Sequence, residues 1–301
     1  MAPPKDFATA LKPHPSADGA AILAQERTRS PISPSALSIH LFGQPYLDRQ
    51  HRVLSIIQRE PLFSRTNQAN LSRPDRYKLG LARGKRMRQL ADTHAWDTDD
   101  LLMAEYLLDE PQPYHLHMSL FAAAMRDQTS DEQRAYWQPK IDGWEIVGAY
   151  AQTELGHGSN VRGIECEARW DGKAREFVLH SPTLTASKWW NGTLGRTATH
   201  AVVVAQLMMP GEAGGWENKG PHPFIVRIRE DGTHRPLEGI VVGDIGPKYG
   251  YVSSSARNVA LARLARVADC LPGADGQRIL PLLPSPSPTL RAFEPLRQHR
   301  P

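Results

Sequence analysis

The stretch TELGHGSN, residues 153–160, concentrates side chains that could bind a ligand. Gly156 and Gly158 stand two residues apart, and a backbone without β-carbons can approach a bulky ligand and present its N–H groups to it. Thr153 and Ser159 add a hydroxyl on either side. A strand-to-strand turn with capping hydroxyls would use the same residue types, so the stretch alone is compatible with both a binding loop and a plain turn.

A second cluster, SKWWNGTLGRTATH at residues 187–200, joins two aromatic rings to a tight turn. Adjacent side chains of a strand point to opposite faces, so only one of Trp189 and Trp190 can enter the core. The other would need a partner such as a planar ligand ring. Asn191 and Gly192 favour a tight turn directly afterwards. A hairpin with one surface tryptophan is the alternative interpretation.

Other classes of site are disfavoured. The 12 histidines are scattered and no His-Glu-x-x-His spacing occurs, so we expect no metal site. The segment GHGSN lacks the second glycine of a Gly-x-Ser-x-Gly nucleophile elbow, which argues against a serine hydrolase. Cys166 and Cys270 lie far apart and are the only cysteines. We therefore expect neither a disulfide framework nor a zinc site.

Composition and charge are those of an ordinary globular protein. The 301 residues are 40% hydrophobic and 23% charged, which allows a sizeable core. A net charge of +4 is too small to indicate nucleic-acid binding. No apolar run approaches the roughly 18–20 residues that span a bilayer. The N-terminal residues lack the apolar segment of a secretory signal, so we expect none.

The periodicity of the sequence changes once, near Gly143. Apolar residues before it recur with the helical period, whereas short β-branched or alternating runs separated by Gly, Pro and Asp follow it. We therefore predict an α+β chain in which an N-terminal helical bundle is followed by an antiparallel β domain. The predicted segments are a loose N-terminal arm at 1–35, the helical domain at 36–142, the β domain at 143–251 and a mostly irregular tail at 252–301.

Local signals define several of these elements. Pro74 and Asp75 fit the first turn of a helix, and Ser130 can cap another. Asp171 and Gly172 suit the turn of a hairpin. In the tail, residues 258–272 could form one amphipathic helix before the prolines that follow.

Taken in order, three stretches resemble the peroxisomal acyl-CoA oxidases of the acyl-CoA dehydrogenase superfamily. They are AYAQTELGHGSNVRGIE, SPTLTASKWWNGTLGRTATHAVVVAQL and PFIVRIREDGTHRPLEGIVVGDIGPKYGY. The resemblance implies an N-terminal helical domain, a middle β domain and a large C-terminal helical region, with FAD bound between the β domain and the C-terminal helices. It also implies homo-oligomers and a peroxisomal location.

The resemblance assigns roles to individual residues. Thr153 would hydrogen-bond the pyrimidine edge of the flavin. The remaining cofactor residues would be Trp190, Asn191 and Gly192, and the substrate residues Gly156, Gly158 and Ser159. The implied reaction oxidises a fatty acyl-CoA to a trans-2-enoyl-CoA, with FAD as cofactor and molecular oxygen reduced to hydrogen peroxide.

The sequence departs from the family pattern after Tyr251. The family's C-terminal helical domain, with its glutamate base, has no counterpart there, so no catalytic residue can be named. We expect a truncated chain, and the final QHRP is not a peroxisomal targeting tripeptide. Two functional hypotheses remain: an acyl-CoA oxidase, or a catalytically inactive fragment that binds acyl-CoA or flavin.

Overall fold

The computed structural model describes residues 19–66, 68–108, 112–243 and 265–267. The chain divides into two compact units, residues 1–59 and residues 60–301. The described part of the first unit consists of the helices α1 (Gly19–Arg29), α2 (Pro34–Phe42) and α3 (Gln44–Ile57). Helix α1 lies in the predicted N-terminal arm and has no buried residue, whereas α3 buries Val53 and Ile57.

In the second unit, four α-helices and a π-helical turn precede the sheet in the described part of the chain. They are α4 (Arg73–His94), α5 (Thr98–Leu108), a π-helical turn (His117–Phe121), α6 (Ala122–Gln128) and α7 (Asp131–Asp142). The predicted start of α4 is confirmed, with Asp75 in its first turn and its N–H donating to the capping hydroxyl of Ser72. Ser130 caps α7 in a reciprocal capping box with Gln133, as predicted.

A six-stranded sheet follows the helices. Its strands are β1 (Gly148–Ala151), β2 (Glu167–Asp171), β3 (Glu176–His180), β4 (His200–Pro210), β5 (Trp216–Arg227) and β6 (Ala265–Val267). The sheet order is β1-β4-β2-β3-β6, and β5 pairs with β4 along its whole length. The β2–β3 hairpin at Asp171 is confirmed, and the Asp171 carboxylate accepts from two N–H groups of its turn. Helices followed by a β domain are therefore confirmed.

The expectation of a purely antiparallel sheet is wrong. Both β1 and β2 pair with β4 in parallel, so the sheet is mixed. They occupy successive parts of one edge of β4, because residues 152–166 leave the sheet after β1 and return to the same edge as β2. An alternating pattern reports which face of a strand is buried, and it says nothing about the direction of the neighbouring strand.

Both faces of β4 are covered. Ala201, Val203, Ala205 and Leu207 contribute to the main core of the sheet, together with Phe177 and Phe224. Val202 points the other way, into a second cluster formed with the π-helical turn, α6 and α7 through Phe121, Met125, Trp137 and Ile141. This double burial explains why β4 reads as a continuous apolar run, AVVVA, instead of an alternation.

Two predictions concern residues at the margin of the described chain. Ala265–Val267 form a strand antiparallel to β3, so the helix predicted over residues 258–272 is wrong at these three positions. The rest of the predicted irregular tail, residues 252–264 and 268–301, lies outside the described residues. The domain boundary near residue 143 stays a prediction. Among the described residues, no helix has both the length and the apolar character needed to cross a membrane.

Candidate functional site

The structure brings the two sequence clusters together. We call residues 153–163 the first loop and residues 183–193 the second loop. The Trp189 N–H donates to the Thr153 carbonyl at 2.9 Å, and the Leu155 N–H donates to the Ser187 carbonyl at 2.9 Å. An isolated antiparallel bridge joins Glu154 to Lys188 between these two bonds. Backbone pairing therefore places residues far apart in sequence side by side.

A buried ion pair lies beneath this junction. The Lys188 ammonium donates to the Glu154 carboxylate at 2.9 Å, and neither side chain has any exposed surface. The ammonium also donates to the carbonyls of Gln152 at 3.2 Å and Val204 at 2.6 Å. All three ammonium protons thus have partners, which a buried lysine requires to remain charged.

The Glu154 carboxylate is equally well satisfied. It accepts from the N–H groups of Glu165 at 2.8 Å and Cys166 at 2.9 Å, and His157 Nδ1 lies 2.9 Å from its Oε2. The imidazole Nε2 of His157 is 3.5 Å from the Glu165 carboxylate. The hydrogen bonds of the Glu154 carboxylate therefore hold the first loop together.

The residues around the Glu154–Lys188 pair also shift the pKa values of two neighbouring side chains, Glu165 and Cys166. Hydrogen bonds from Thr183 and Thr185, with the His157 charge, hold the pKa of the Glu165 carboxyl below its usual value. Burial raises the pKa of the Cys166 thiol, which makes the thiol inert at neutral pH. The Glu165 carboxylate is thus engaged by two threonines and the Glu154 carboxylate by the ion pair with Lys188.

A buried guanidinium holds the chain just after the second loop. Arg229 donates to the carbonyls of Leu194 at 2.9 Å, Ala198 at 2.5 Å and Gly195 at 2.9 Å. The side chain is only 3% exposed, and its desolvation lowers the pKa of the guanidinium below its ordinary value. These bonds satisfy carbonyls of a tight turn that the sheet cannot reach.

The second loop contains two residues with left-handed backbone conformation. Trp190 has φ +68° and Thr193 has φ +66°, and they flank Asn191 and Gly192. This region is unfavourable for a β-branched residue such as threonine. The Asn191 amide, oriented with its nitrogen toward the Tyr150 carbonyl at 3.0 Å, accepts from the Trp189 N–H at 3.3 Å. Strain of this kind is common at ligand sites.

Comparison with known proteins identifies relatives for most of the chain. Residues 33–147 match the family described as acyl-coenzyme A oxidase N-terminal. Peroxisomal acyl-coenzyme A oxidase 1 of Phascolarctos cinereus is 39% identical over 233 residues, which are 76% of this chain and 34% of the relative. The human protein of that name is also 39% identical, over 236 residues and the same shares of both chains. Over about three quarters of its length, the chain is similar to the acyl-CoA oxidases.

Solved structures of acyl-CoA oxidases are also similar to this chain. Arabidopsis thaliana acyl-CoA oxidase 1 has a TM-score of 0.74 and 34% identity, covering 81% of this chain and 37% of that one. Acyl-CoA oxidase-2 of Caenorhabditis elegans, solved with FAD, ascaroside-CoA and ATP, has a TM-score of 0.71 and 32% identity, covering 85% and 40%. The chain spans about a third of the length of the curated relatives it matches.

The glycines of the two loops differ in whether packing within the protein explains the absence of a side chain. A β-carbon at Gly156 would lie 2.8 Å from the Thr185 side chain, and one at Gly192 would lie 2.2 Å from the Leu116 side chain. Packing within the protein therefore accounts for both. A β-carbon at Gly158 would meet no atom within 4 Å, and the residue is exposed. Space at Gly158 is available to a ligand.

The other predicted residues differ in exposure, and Asn191 among them is buried. Among the described residues, the half-buried Thr153 hydroxyl has no hydrogen-bond partner. Ser159 is exposed, and Trp190 is 56% exposed. A free hydroxyl, an open glycine and an exposed aromatic ring fit the polar edge and planar body of a flavin. The residues present are thus compatible with the cofactor that the relatives' family implies.

The sequence analysis missed the residues that hold the site in place. Lys188, Arg229 and Leu116 were not singled out, and Glu154 was noted only as part of the loop motif. One available signal was a lysine inside the otherwise apolar stretch ASKWW. The end of the third stretch that resembles the acyl-CoA oxidases, residues 244–251, lies outside the described residues. Within the described parts of the chain, no cluster of His, Cys, Asp and Glu could hold a metal ion.

Proposed function

We propose that this chain supplies the flavin- and acyl-CoA-binding part of an FAD-dependent acyl-CoA oxidase. The observation that carries the proposal is the junction of the two loops, which joins the half-buried Thr153 and the exposed Gly158 of the first loop to the exposed Trp190 of the second by backbone hydrogen bonds. Similarity to acyl-CoA oxidases over 76% of the chain supports it. A peroxisomal location and assembly with further copies are proposed on the same similarity.

Each loop would contribute a different part of the binding. Thr153 of the first loop would hydrogen-bond the flavin ring. Trp190, Asn191 and Gly192 of the second loop would also contact the flavin. Gly156, Gly158 and Ser159 would lie along the acyl-CoA. When bound, FAD supplies the electron acceptor for oxidation of the acyl chain, with molecular oxygen as the final acceptor. The buried Glu154–Lys188 pair excludes water from beneath the loops.

We further propose that the polypeptide of these 301 residues binds flavin without turning over acyl-CoA. The two carboxylates of the motif region are unsuitable as the base, because Glu154 is buried in an ion pair and hydrogen bonding lowers the pKa of Glu165. General-base catalysis typically contributes about 10²–10⁴-fold to a rate. The second candidate function, proposed for these 301 residues by themselves, is therefore that of a fragment that binds its ligand without catalysing the reaction.

The experiment is a titration followed by an assay. The purified polypeptide is mixed with FAD, and retained flavin is measured by absorbance after gel filtration. A long-chain acyl-CoA is then added, while flavin bleaching and peroxide are followed. We expect retained flavin and no peroxide. Absence of flavin binding would contradict the cofactor proposal, whereas turnover close to that of a full-length relative would contradict the proposed inactivity.

A further inference from the structure

The Glu154–Lys188 pair lies where the sheet is interrupted. Strand β1 ends at Ala151 opposite Val203, and β2 begins at Glu167 opposite Gln206. Between these positions the edge of β4 has no strand partner among the described residues. The Lys188 ammonium donates to the Val204 carbonyl at this gap, and to the Gln152 carbonyl just beyond β1. The lysine thus replaces the backbone donors that a continuous strand would supply.

Four backbone groups from separate segments depend on this one pair. The carboxylate accepts the N–H groups of Glu165 and Cys166, and the ammonium donates to the carbonyls of Gln152 and Val204. An apolar pair of the same size would leave all four unsatisfied. Hydrogen bonds are directional, so this arrangement favours a single register of the first loop against the second, which apolar contacts alone do not specify.

The register determines what the loops expose. Successive side chains of an extended segment alternate between faces, so the buried position of Glu154 directs Thr153 to the other face. Lys188 immediately precedes Trp189, whose N–H donates to the Thr153 carbonyl at 2.9 Å. A shift of one residue would bury Thr153 and expose a charged side chain in its place.

We propose that Glu154 and Lys188 are positioning residues that fix the two loops in their ligand-binding register before any cofactor arrives. The inference rests on the proposed function only for the identity of the ligand, a flavin. A preformed site loses less conformational entropy on binding, so it binds more tightly than one that must order its loops. The pair contributes to affinity without touching the ligand.

The test replaces both charges with apolar groups of similar volume, Glu154→Leu with Lys188→Met. The first measurement is amide hydrogen exchange of the flavin-free chain at residues 153–163 and 183–193, and the second is FAD affinity by fluorescence quenching. The matched control is Arg83→Met in α4. Arg83 is 3% exposed and donates to the carbonyls of Leu62 and Ser64, away from both loops.

We expect the double variant to exchange faster in both loops and to bind FAD at least about tenfold more weakly, equivalent to 1.4 kcal/mol. The control should exchange faster only around residues 62–68 and keep its FAD affinity. Unchanged loop exchange, or unchanged FAD affinity despite faster exchange, overturns the proposal. If the double variant does not fold, Glu154→Asp carries the same test, because it keeps the charge and shortens the side chain by one methylene.

The two proposals can fail separately. If the unaltered polypeptide binds no FAD, the proposed function is contradicted. The exchange measurement on the flavin-free chain still decides whether the pair holds the loops in register. Loss of FAD affinity in the control, at a temperature where it is folded, would show that general destabilisation is sufficient and would overturn the positioning role.

Discussion

The buried and exposed sides of the two loops differ in what determines their residue types. On the buried side, Glu154 and Lys188 neutralise one another, and Leu116 leaves no room for a β-carbon at Gly192. On the exposed side, no described residue accounts for the hydroxyl of Thr153 or the absence of a side chain at Gly158. Residues that the fold does not require are the better candidates for ligand contact.

Three glycines of the two loops, Gly156, Gly158 and Gly192, illustrate this distinction. All of them were predicted to bind cofactor or substrate, and nothing in the sequence distinguishes one from another. The structure gives Gly156 and Gly192 a packing reason and leaves only Gly158 without one. Substitutions on the buried side should therefore reduce stability first, whereas substitutions on the exposed side should reduce ligand binding with little effect on stability.

The largest effect on stability is expected for Lys188→Met. The variant leaves the Glu154 carboxylate buried without its counter-charge, and breaking a buried pair in this way typically costs about 3–5 kcal/mol. Urea unfolding of the flavin-free chain measures the loss. The control is Lys219→Met, which removes the lysine of the exposed pair with Glu217 and should cost less than about 0.5 kcal/mol. Equal losses in the two variants would contradict the distinction between buried and exposed sides.

The next effect is a loss of stability in acid, caused by His117. This histidine is 1% exposed, and its Nδ1 accepts the Gly148 N–H at 3.0 Å. Burial, with a smaller contribution from Arg88 that outweighs the opposing one from Asp142, lowers the pKa of His117 from 6.5 to about 4. The unfolded chain therefore binds a proton between these pH values that the folded chain does not. Stability should fall by about 3 kcal/mol as the pH drops from 6.5 to 4.

Comparison with His117→Asn isolates this contribution, because asparagine keeps an acceptor for the Gly148 N–H. The variant should show a smaller slope of unfolding free energy between pH 6.5 and 4. His115 contributes with the opposite sign, since its hydrogen bond to Glu105 raises the pKa of His115 and stabilises the fold at low pH. Parallel pH profiles for the two proteins would contradict the buried neutral state of His117.

A smaller effect is expected for Gly192→Ala. Its added β-carbon would lie 2.2 Å from Leu116 Cδ1, so the side chain must move, and overpacking of this kind typically costs about 1–3 kcal/mol. Leu116→Ala in the same chain removes the clash. If Gly192 serves only packing, the double variant recovers FAD retention relative to Gly192→Ala. If Gly192 also contacts flavin, FAD retention stays low although the clash is gone.

The sequence predicts the elements of this molecule better than their connections. The cap at Ser130, the first-turn position of Asp75 and the hairpin at Asp171 follow from local chemistry, and the structure confirms them. The parallel pairing of β1 with β4 depends on where residues 152–199 leave and rejoin the sheet, which no local pattern encodes. The strand at Ala265–Val267 likewise depends on a distant partner, β3, which a helical period cannot reveal.

The same limit applies to the candidate site. The half-buried Thr153 and the exposed Gly158 and Trp190 were found because their types suit a ligand. The role of Lys188 could not be predicted, because its partners are carbonyls of Gln152 and Val204 and a carboxylate 34 residues earlier in the chain. The Arg229 guanidinium donates to carbonyls of residues 194–198, and a carbonyl carries no signal in the sequence.

The smallest effect on stability, and the most informative for function, is expected for Thr153→Ala. The Thr153 hydroxyl has no partner among the described residues, so its removal should change the unfolding free energy by less than about 0.5 kcal/mol. A hydrogen bond to the flavin would contribute about 1 kcal/mol, so FAD should bind roughly fivefold more weakly. Thr153→Ser keeps the hydroxyl and should retain the affinity. Thr197→Ala is the matched control, because the Thr197 hydroxyl donates to the Thr193 carbonyl within the protein. If Thr153→Ala loses stability but keeps its FAD affinity, Thr153 serves the fold, as the buried residues do. It would then not belong to the proposed site.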